Sequence, residues 1–549
     1  MGDLQTAPQV NFDTDPSRYR HWRLTVDGQS ARLELDVDEQ GGLVPGYELK
    51  LNSYDLGVDI EFYDALQRIR FEHPQVSAVV IISAKDRTFC AGANIRMLAQ
   101  SPHPWKVNFC KFTNETRNGM EDSSANSGLG FIAALNGTTA GGGYEIALAC
   151  DEILLVDDGS STVALPEVPL LGVLPGTGGL TRLVDKRGVR RDRADVFATK
   201  SEGIRGRTAV EWRLVDDVVS PSKFAEVVAE RVTATVDASR RPADAVGISL
   251  APLDRTVDAD SITYPHVVAR LDRDASVATI TVTGPDEVPS TADQLHEQGA
   301  GAWLLAVTRE LDDLILRLRT NELEIGTWLF ETRGEAAMVA AYDEFLLANR
   351  DDWLVNETVH YWKRTLKRLD VTSRSLIATI APGSCFAGSL AELALAADRS
   401  YMLDESAATF MLTGMNDGVL PMGNGLSRLG SRFYGDNDAL DAARKQMGTP
   451  LSAREAADAG LVTFAFDDID WDDELRLAIE ERSAFSPDAL TGMEAQHRFA
   501  GPETLETKIF GRLTAWQNWV FQRPNAAGPE GALRRYGTGQ RPVYDRKRV

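Results

Sequence analysis

The sequence predicts an α/β chain made of two tandem copies of one unit, the second altered, followed by a helical C-terminal region. Three observations carry this expectation. Near the start, segments 31–37 (ARLELDV), 59–69 (DIEFYDALQRI) and 76–83 (VSAVVIIS) alternate strand and helix periodicity, which implies parallel strands joined by a right-handed crossover. The stretch GVLPGTGGLTRL at 172–183 returns without a gap as GVLPMGNGLSRL at 418–429, an internal duplication. Beyond Trp471 the strands give way to amphipathic helical patterns at 472–482 and 503–521.

A chain of 549 residues is long enough for three or four domains at about 150 residues each. The expected division is a first unit at 1–236, a linker at 237–260, a second unit at 261–470 and the helical region at 471–549. The linker reads DASRRPADAVGISLAPLDRTVDAD, polar and rich in breakers. The basic, glycine-rich end, LRRYGTGQRPVYDRKRV, is an arm ordered by contacts or a solvated tail. An apolar cluster of Trp516, Trp519, Val520 and Phe521 is available to pack on the core or on another subunit, and a homodimer or other homo-oligomer is expected.

Composition excludes several classes. A hydrophobic share of 43% and a charged share of 25% suit a globular enzyme with a sizeable core. The net charge of −23 argues against nucleic acid, whose phosphates need a concentrated basic surface. Cys90, Cys110, Cys150 and Cys385 form no C-x-x-C pair and read as reduced thiols of a cytoplasmic protein. The seven histidines show no paired-ligand spacing, so no metal is expected. The N-terminal MGDLQTAPQVNFDTDP lacks a leader pattern, and no apolar run is long enough to span a membrane.

Residues 130–183 organise the rest. A strand-like run, 131–135, ends at the Asn136-Gly137 turn signal, and three glycines, 141–143, then open a helix ending near Cys150. A helix start has N–H groups without intrahelical partners, and glycine lets other atoms approach them, so an oxyanion can be held there. Glu145 stands just inside the helix on an otherwise apolar face, and Glu167 follows between Pro166 and Pro169. Earlier, TFCAGANIRML at 88–98 places Ala91, Gly92 and Ala93 after a buried strand, at the ligand-collecting carboxyl end of a sheet. Amides near Ala93 and Gly142 are thus expected to converge on one carbonyl oxygen. Neither AGGGYEI nor PGTGGLTR completes a G-x-G-x-x-G fingerprint, which disfavours a nicotinamide cofactor.

FCAGANI, NGTTAGGGYEIALACD and LPEVPLLGVLPGTGGLTRL, in that order over roughly residues 23–219, resemble the crotonase (enoyl-CoA hydratase/isomerase) superfamily. The resemblance implies tandem crotonase-like (ββα spiral) domains acting on an acyl-CoA thioester. It places the oxyanion-hole amides at Ala93 and Gly142 and the catalytic glutamates at Glu145 and Glu167. Asn94 departs from the aspartate of many members, and its side chain is not the oxyanion donor. The length, the altered second copy and the helical tail resemble a family of lyases that open the ring of 2,3-epoxybenzoyl-CoA. With two waters these enzymes give 3,4-didehydroadipyl-CoA semialdehyde and formate, and no metal or redox cofactor is implied. Cys110, shortly after the first oxyanion loop, becomes a further catalytic candidate on this resemblance. A simple enoyl-CoA hydratase/isomerase and a non-catalytic acyl-CoA-binding protein are the alternatives.

The second copy aligns Gly388 with Gly141, Glu392 with Glu145, Asp398 with Asp151 and Thr413 with Glu167. Its glycines have become Gly388-Ser389-Leu390, and GEAAMVAAYD at 334–343, the nearest counterpart of FCAGANI, lacks the small-residue turn. It therefore reads as a structural partner, with Glu392 a satisfied helix-start carboxylate. In the first copy, two neighbouring carboxylates cannot easily both ionise, so one pKa should rise, which suits proton transfer to and from water.

Overall fold

The computed structural model describes residues 9–549; the first eight residues of the N-terminal stretch lie outside it. The chain divides into two compact units, Met1–Pro252 and Leu253–Val549.

The first unit contains β1 (Trp22–Asp27), β2 (Ser30–Leu35), α1 (Leu56–Phe71), β3 (Ala78–Ser83), β4 (Arg87–Cys90), α2 (Ile95–Gln100), α3 (His103–Asn126), β5 (Gly130–Leu135), β6 (Gly137–Ala140), α4 (Gly142–Ala149), β7 (Glu152–Val156), β8 (Val163–Ala164), α5 (Glu167–Leu171) and β9 (Asp217–Val219). A six-stranded sheet runs β1-β2-β3-β5-β7-β9, antiparallel only between β1 and β2. The expected crossover from β2 through α1 to β3 is present. Helix Phe224–Ala238 covers one face of this sheet, where Phe224 packs with Val80, Ile132, Leu154 and Val219. Residues of the expected linker dock on the same unit: Ile248 and Leu250 are buried, and Arg68 Nη1 donates to the Leu250 carbonyl at 2.9 Å.

A second sheet of three strands, β4-β6-β8, is parallel and positions the site. The sequence reading misses it, because its strands are four, four and two residues long, too short to show a period. The strand-like run does end at Asn136-Gly137, where the chain passes into the small sheet and Gly137 begins β6. A side chain at Gly137 would meet the Arg87 and Thr88 backbone of β4, so glycine marks a close strand approach.

The second unit has an eight-stranded sheet in sequence order, from β10 (Thr256–Val257), β11 (Ser261–Thr263), β12 (Val267–Asp272) and β13 (Val277–Thr283) to β14 (Thr327–Arg333), β15 (Ser375–Ile380), β16 (Arg399–Leu403) and β17 (Phe464–Phe466). Pairing is antiparallel up to β13 and parallel from β13 to β17, the same change of direction as in the first unit. Helix Trp471–Ala484 covers one face of this sheet beside Val277, Leu329, Ile377 and Tyr401, as helix Phe224–Ala238 does in the first unit. The predicted helix at 503–521 is present but interrupted by a π turn at Ile509–Leu513. Trp516 and Trp519 meet edge to face at 5.6 Å, whereas Phe521 is exposed. The basic end is an ordered arm: Arg548 is buried and donates to Glu494, Ser375 and the Pro487 carbonyl.

Candidate active site

The three parallel strands of the small sheet end side by side, and each runs into one predicted motif. β4 leads to Gly92 and Ala93, β6 to Gly141 and Gly142, and β8 through Pro166 to Glu167. Gly141 has φ +54°, the left-handed turn that glycine adopts without strain, and its amide donates to the Ala164 carbonyl at 2.9 Å. A Cβ on Gly92 would come 2.8 Å from the Gly142 nitrogen, and one on Gly141 would come 2.8 Å from Glu167 Oε1. The loops carrying Ala93, Gly142 and Glu167 therefore meet. Among the described residues the Ala93 and Gly142 amides donate to no acceptor.

Glu145 lies one turn into α4 and is buried. A buried carboxylate needs donors. It has three: the Thr177 amide (2.9 Å) and the Gly179 amide (2.8 Å) donate to Oε1, and Thr177 Oγ1 donates to Oε2. The PGTGG loop thus serves Glu145, a role its glycines did not disclose. Arg182 holds that loop, donating to the Thr177 carbonyl at 3.0 Å while it pairs with Glu121 at 2.9 Å.

Glu167 opens α5 after Pro166 and is buried, and its Oε2 has no partner among the described residues. Burial, and then the neighbouring Glu145, push its carboxyl up to about 7. The expected raised pKa falls on Glu167. It can hold or release a proton near neutrality.

Cys110, on α3, reaches the same loop: its sulfur would lie 3.7 Å from a Cβ on Gly176. Burial, and then Glu145, push the thiol up to about 11, so at neutral pH it is a protonated thiol and a poor nucleophile. All four cysteines are free. Asn94 caps α2 through Met97, and its amide donates to the Glu48 carbonyl (2.8 Å) and Ser53 Oγ (3.1 Å). An aspartate could not make those two bonds, which accounts for the departure noted in the sequence. Among the described residues no three His, Cys, Asp or Glu side chains come together as metal ligands, and no helix is long and apolar enough to cross a membrane.

In the second unit Gly388 repeats Gly141: its φ is +42° and its amide donates to the Met411 carbonyl at 3.0 Å. Thr413 stands over Gly388 as Glu167 stands over Gly141, since a Cβ on Gly388 would run into Thr413 Oγ1 and Asp343 Oδ2. The stretch 334–343 runs into helix Ala336–Ala348, and Asp343 on that helix accepts from the Ser389 amide at 2.8 Å and from Thr413 Oγ1 at 3.0 Å. Ser389 aligns with Gly142, so the aligned amide is already taken by a carboxylate. Glu392 is not satisfied by its helix start. It pairs with Arg428 at 3.0 Å and accepts from Asn416 at 2.7 Å.

The enoyl-CoA hydratase/isomerase family matches residues 49–270. A solved enoyl-CoA hydratase from Geobacillus kaustophilus HTA426 is 32% identical, covering 40% of this chain and 75% of its own, with a TM-score of 0.35. The fatty acid oxidation complex subunit alpha of Shewanella loihica is 33% identical over 40% of this chain and 28% of its own length. Benzoyl-CoA-dihydrodiol lyase of Aromatoleum evansii is 58% identical over 100% of both chains. The first part of the chain is thus a crotonase-like α/β fold of the enoyl-CoA hydratase/isomerase type, and the chain as a whole belongs to the benzoyl-CoA-dihydrodiol lyase family.

Proposed function

We propose that the chain is an acyl-CoA carbon–carbon lyase that opens 2,3-epoxybenzoyl-CoA. With two waters it releases 3,4-didehydroadipyl-CoA semialdehyde and formate. The carrying observation is Glu167, with a carboxyl near 7 and an unpartnered oxygen where three loops meet, in a chain 58% identical to a named lyase from end to end.

In this reading the Ala93 and Gly142 amides polarise the thioester carbonyl, and Glu145 and Glu167 activate water and move protons at the epoxide ring. One oxyanion donor is worth about a hundred- to a thousandfold in rate, and a placed acid or base adds a similar factor. Cys110, as a neutral thiol, lines the same space. Ring opening by water and loss of formate involve no net electron transfer, so no metal or redox cofactor is invoked. The second unit is read as a degenerate crotonase-like domain whose site is filled from within. A homo-oligomer in the cytoplasm completes the proposal, with exposed Leu505, Phe510 and Phe521 as the apolar surface available for a subunit contact.

Incubating the pure chain with 2,3-epoxybenzoyl-CoA should release formate stoichiometrically with loss of substrate, and Glu167→Gln should slow that release by about a hundred- to ten-thousandfold. Hydration of crotonyl-CoA without formate from the epoxide would instead establish the hydratase alternative.

A further inference from the structure

Tyr54 connects the two oxyanion amides. Its own amide donates to the Gly92 carbonyl at 3.0 Å and its carbonyl accepts from the Asn94 amide at 2.8 Å, so its backbone brackets Ala93 on both sides. Its ring then crosses to the other loop. A Cβ on Gly142 would run into the Tyr54 hydroxyl and ring carbon Cζ, so glycine at 142 leaves the space that this hydroxyl fills.

The ring has little freedom. Tyr54 is 1% exposed, with Phe109 packed at 5.9 Å and the Arg117 guanidinium 5.5 Å from the ring centre. Arg117 is itself fixed by a 2.7 Å ion pair with Asp59. At the end of this clamped ring the hydroxyl is buried and has no hydrogen-bond partner among the described residues. Buried hydroxyls are almost always paired, and one left open beside an anion-binding amide calls for a ligand atom. Burial also pushes the phenol well above its usual pKa, so it remains a donor at neutral pH.

We propose that Tyr54 is a third donor of the oxyanion site, its hydroxyl donating to the same thioester oxygen that the Ala93 and Gly142 amides bind. The inference rests on the acyl-CoA reading above, and deepens it by naming a catalytic side chain on a loop that supplies none of the predicted site residues.

The test uses benzoyl-CoA labelled with ¹³C at the thioester carbonyl, which has no epoxide to open. Bound to the full chain, its carbonyl stretch should fall relative to free benzoyl-CoA. In Tyr54→Phe the fall should be smaller, and turnover of 2,3-epoxybenzoyl-CoA should drop about a hundredfold in kcat with KM little changed. An unchanged frequency in Tyr54→Phe overturns the inference even if activity is lost, because a structural role would not polarise the carbonyl. Should Tyr54→Phe fail to fold, 3-fluorotyrosine at position 54 keeps the ring and makes a stronger donor. It should lower the frequency further, and no change there also overturns the inference. No carbonyl shift in the unaltered chain would refute the oxyanion reading itself, a separate result.

Discussion

The two units meet the same problem, a buried helix-borne glutamate beside a glycine turn, and resolve it in opposite ways. In the first unit Glu145 takes neutral donors from the PGTGG loop, and the facing position carries Glu167, whose second oxygen is unpartnered. In the second, the aligned Glu392 is neutralised by Arg428, the facing position is Thr413, and Asp343 caps the aligned amide. The aligned arginines show the change most directly. Arg182 holds a loop and leaves Glu145 to neutral donors, whereas Arg428 pairs with Glu392 and Asp370. In the second unit the aligned amide of Ser389 and the aligned Glu392 are answered from within. In the first, one Glu167 oxygen and the Ala93 and Gly142 amides have no partner among the described residues.

The strongest way to break this contrast is to remove each facing group in turn. Glu167→Gln should reduce formate release by about a hundred- to ten-thousandfold, the worth of a placed acid or base. Thr413→Ala should leave turnover per folded molecule unchanged. Comparable losses from both would show that the second unit also takes part in chemistry.

Arg428→Met tests the sealed side through stability. It leaves Glu392 and Asp370 buried without their cation, which should cost about 3–5 kcal/mol in a urea titration while kcat is retained. A variant as stable as its parent would mean that the ion-pair network is dispensable.

Both units carry a carboxyl pushed to about 7, Glu167 by burial and Glu145, Asp343 by burial. Only the first should appear in turnover: the pH profile of kcat/KM should bend near 7, lose that bend in Glu167→Gln, and keep it in Asp343→Asn. Stability carries a definite sign. A carboxyl at about 7 when folded and about 4 when unfolded contributes fully below pH 4, and that contribution is lost as pH rises through 7. Asp343→Asn should therefore gain on its parent between pH 5 and pH 8. Urea midpoints that run parallel across this range would contradict the assignment.

The smallest effect is expected at Asn94→Asp, which keeps the helix cap and loses two donated bonds, for about 1 kcal/mol. Thermal melts should detect it, with activity nearly intact.

Much of the site is legible in the sequence because it lies in short contiguous motifs. A glycine turn opening a helix, a carboxylate one turn in and a second fixed beside a proline are local features with local causes. The repeat at 418–429 is equally visible, and with it the loss of Glu167 to Thr413. Thr177 lies inside the PGTGG motif, yet its service to Glu145 depends on a loop folding back onto α4. Tyr54 gave no signal, since a lone aromatic in a loop reads as core. Asp343 lay in a stretch judged only by its missing small-residue turn.

The sequence by itself determined which backbone turns can form, where strands and helices alternate, that the stretch at 172–183 returns at 418–429, and which acids stand beside glycine-rich turns. Those properties follow from steric freedom and periodicity within a few residues. Only the tertiary structure decided which carboxylates are answered and which are left open. That depends on partners arriving from elements distant in sequence: Thr177 donating to Glu145, Arg428 pairing with Glu392, and Asp343 accepting from the Ser389 amide. A hydrogen bond or ion pair in a buried site is worth what the geometry of both partners allows, and that geometry exists only once the chain is packed.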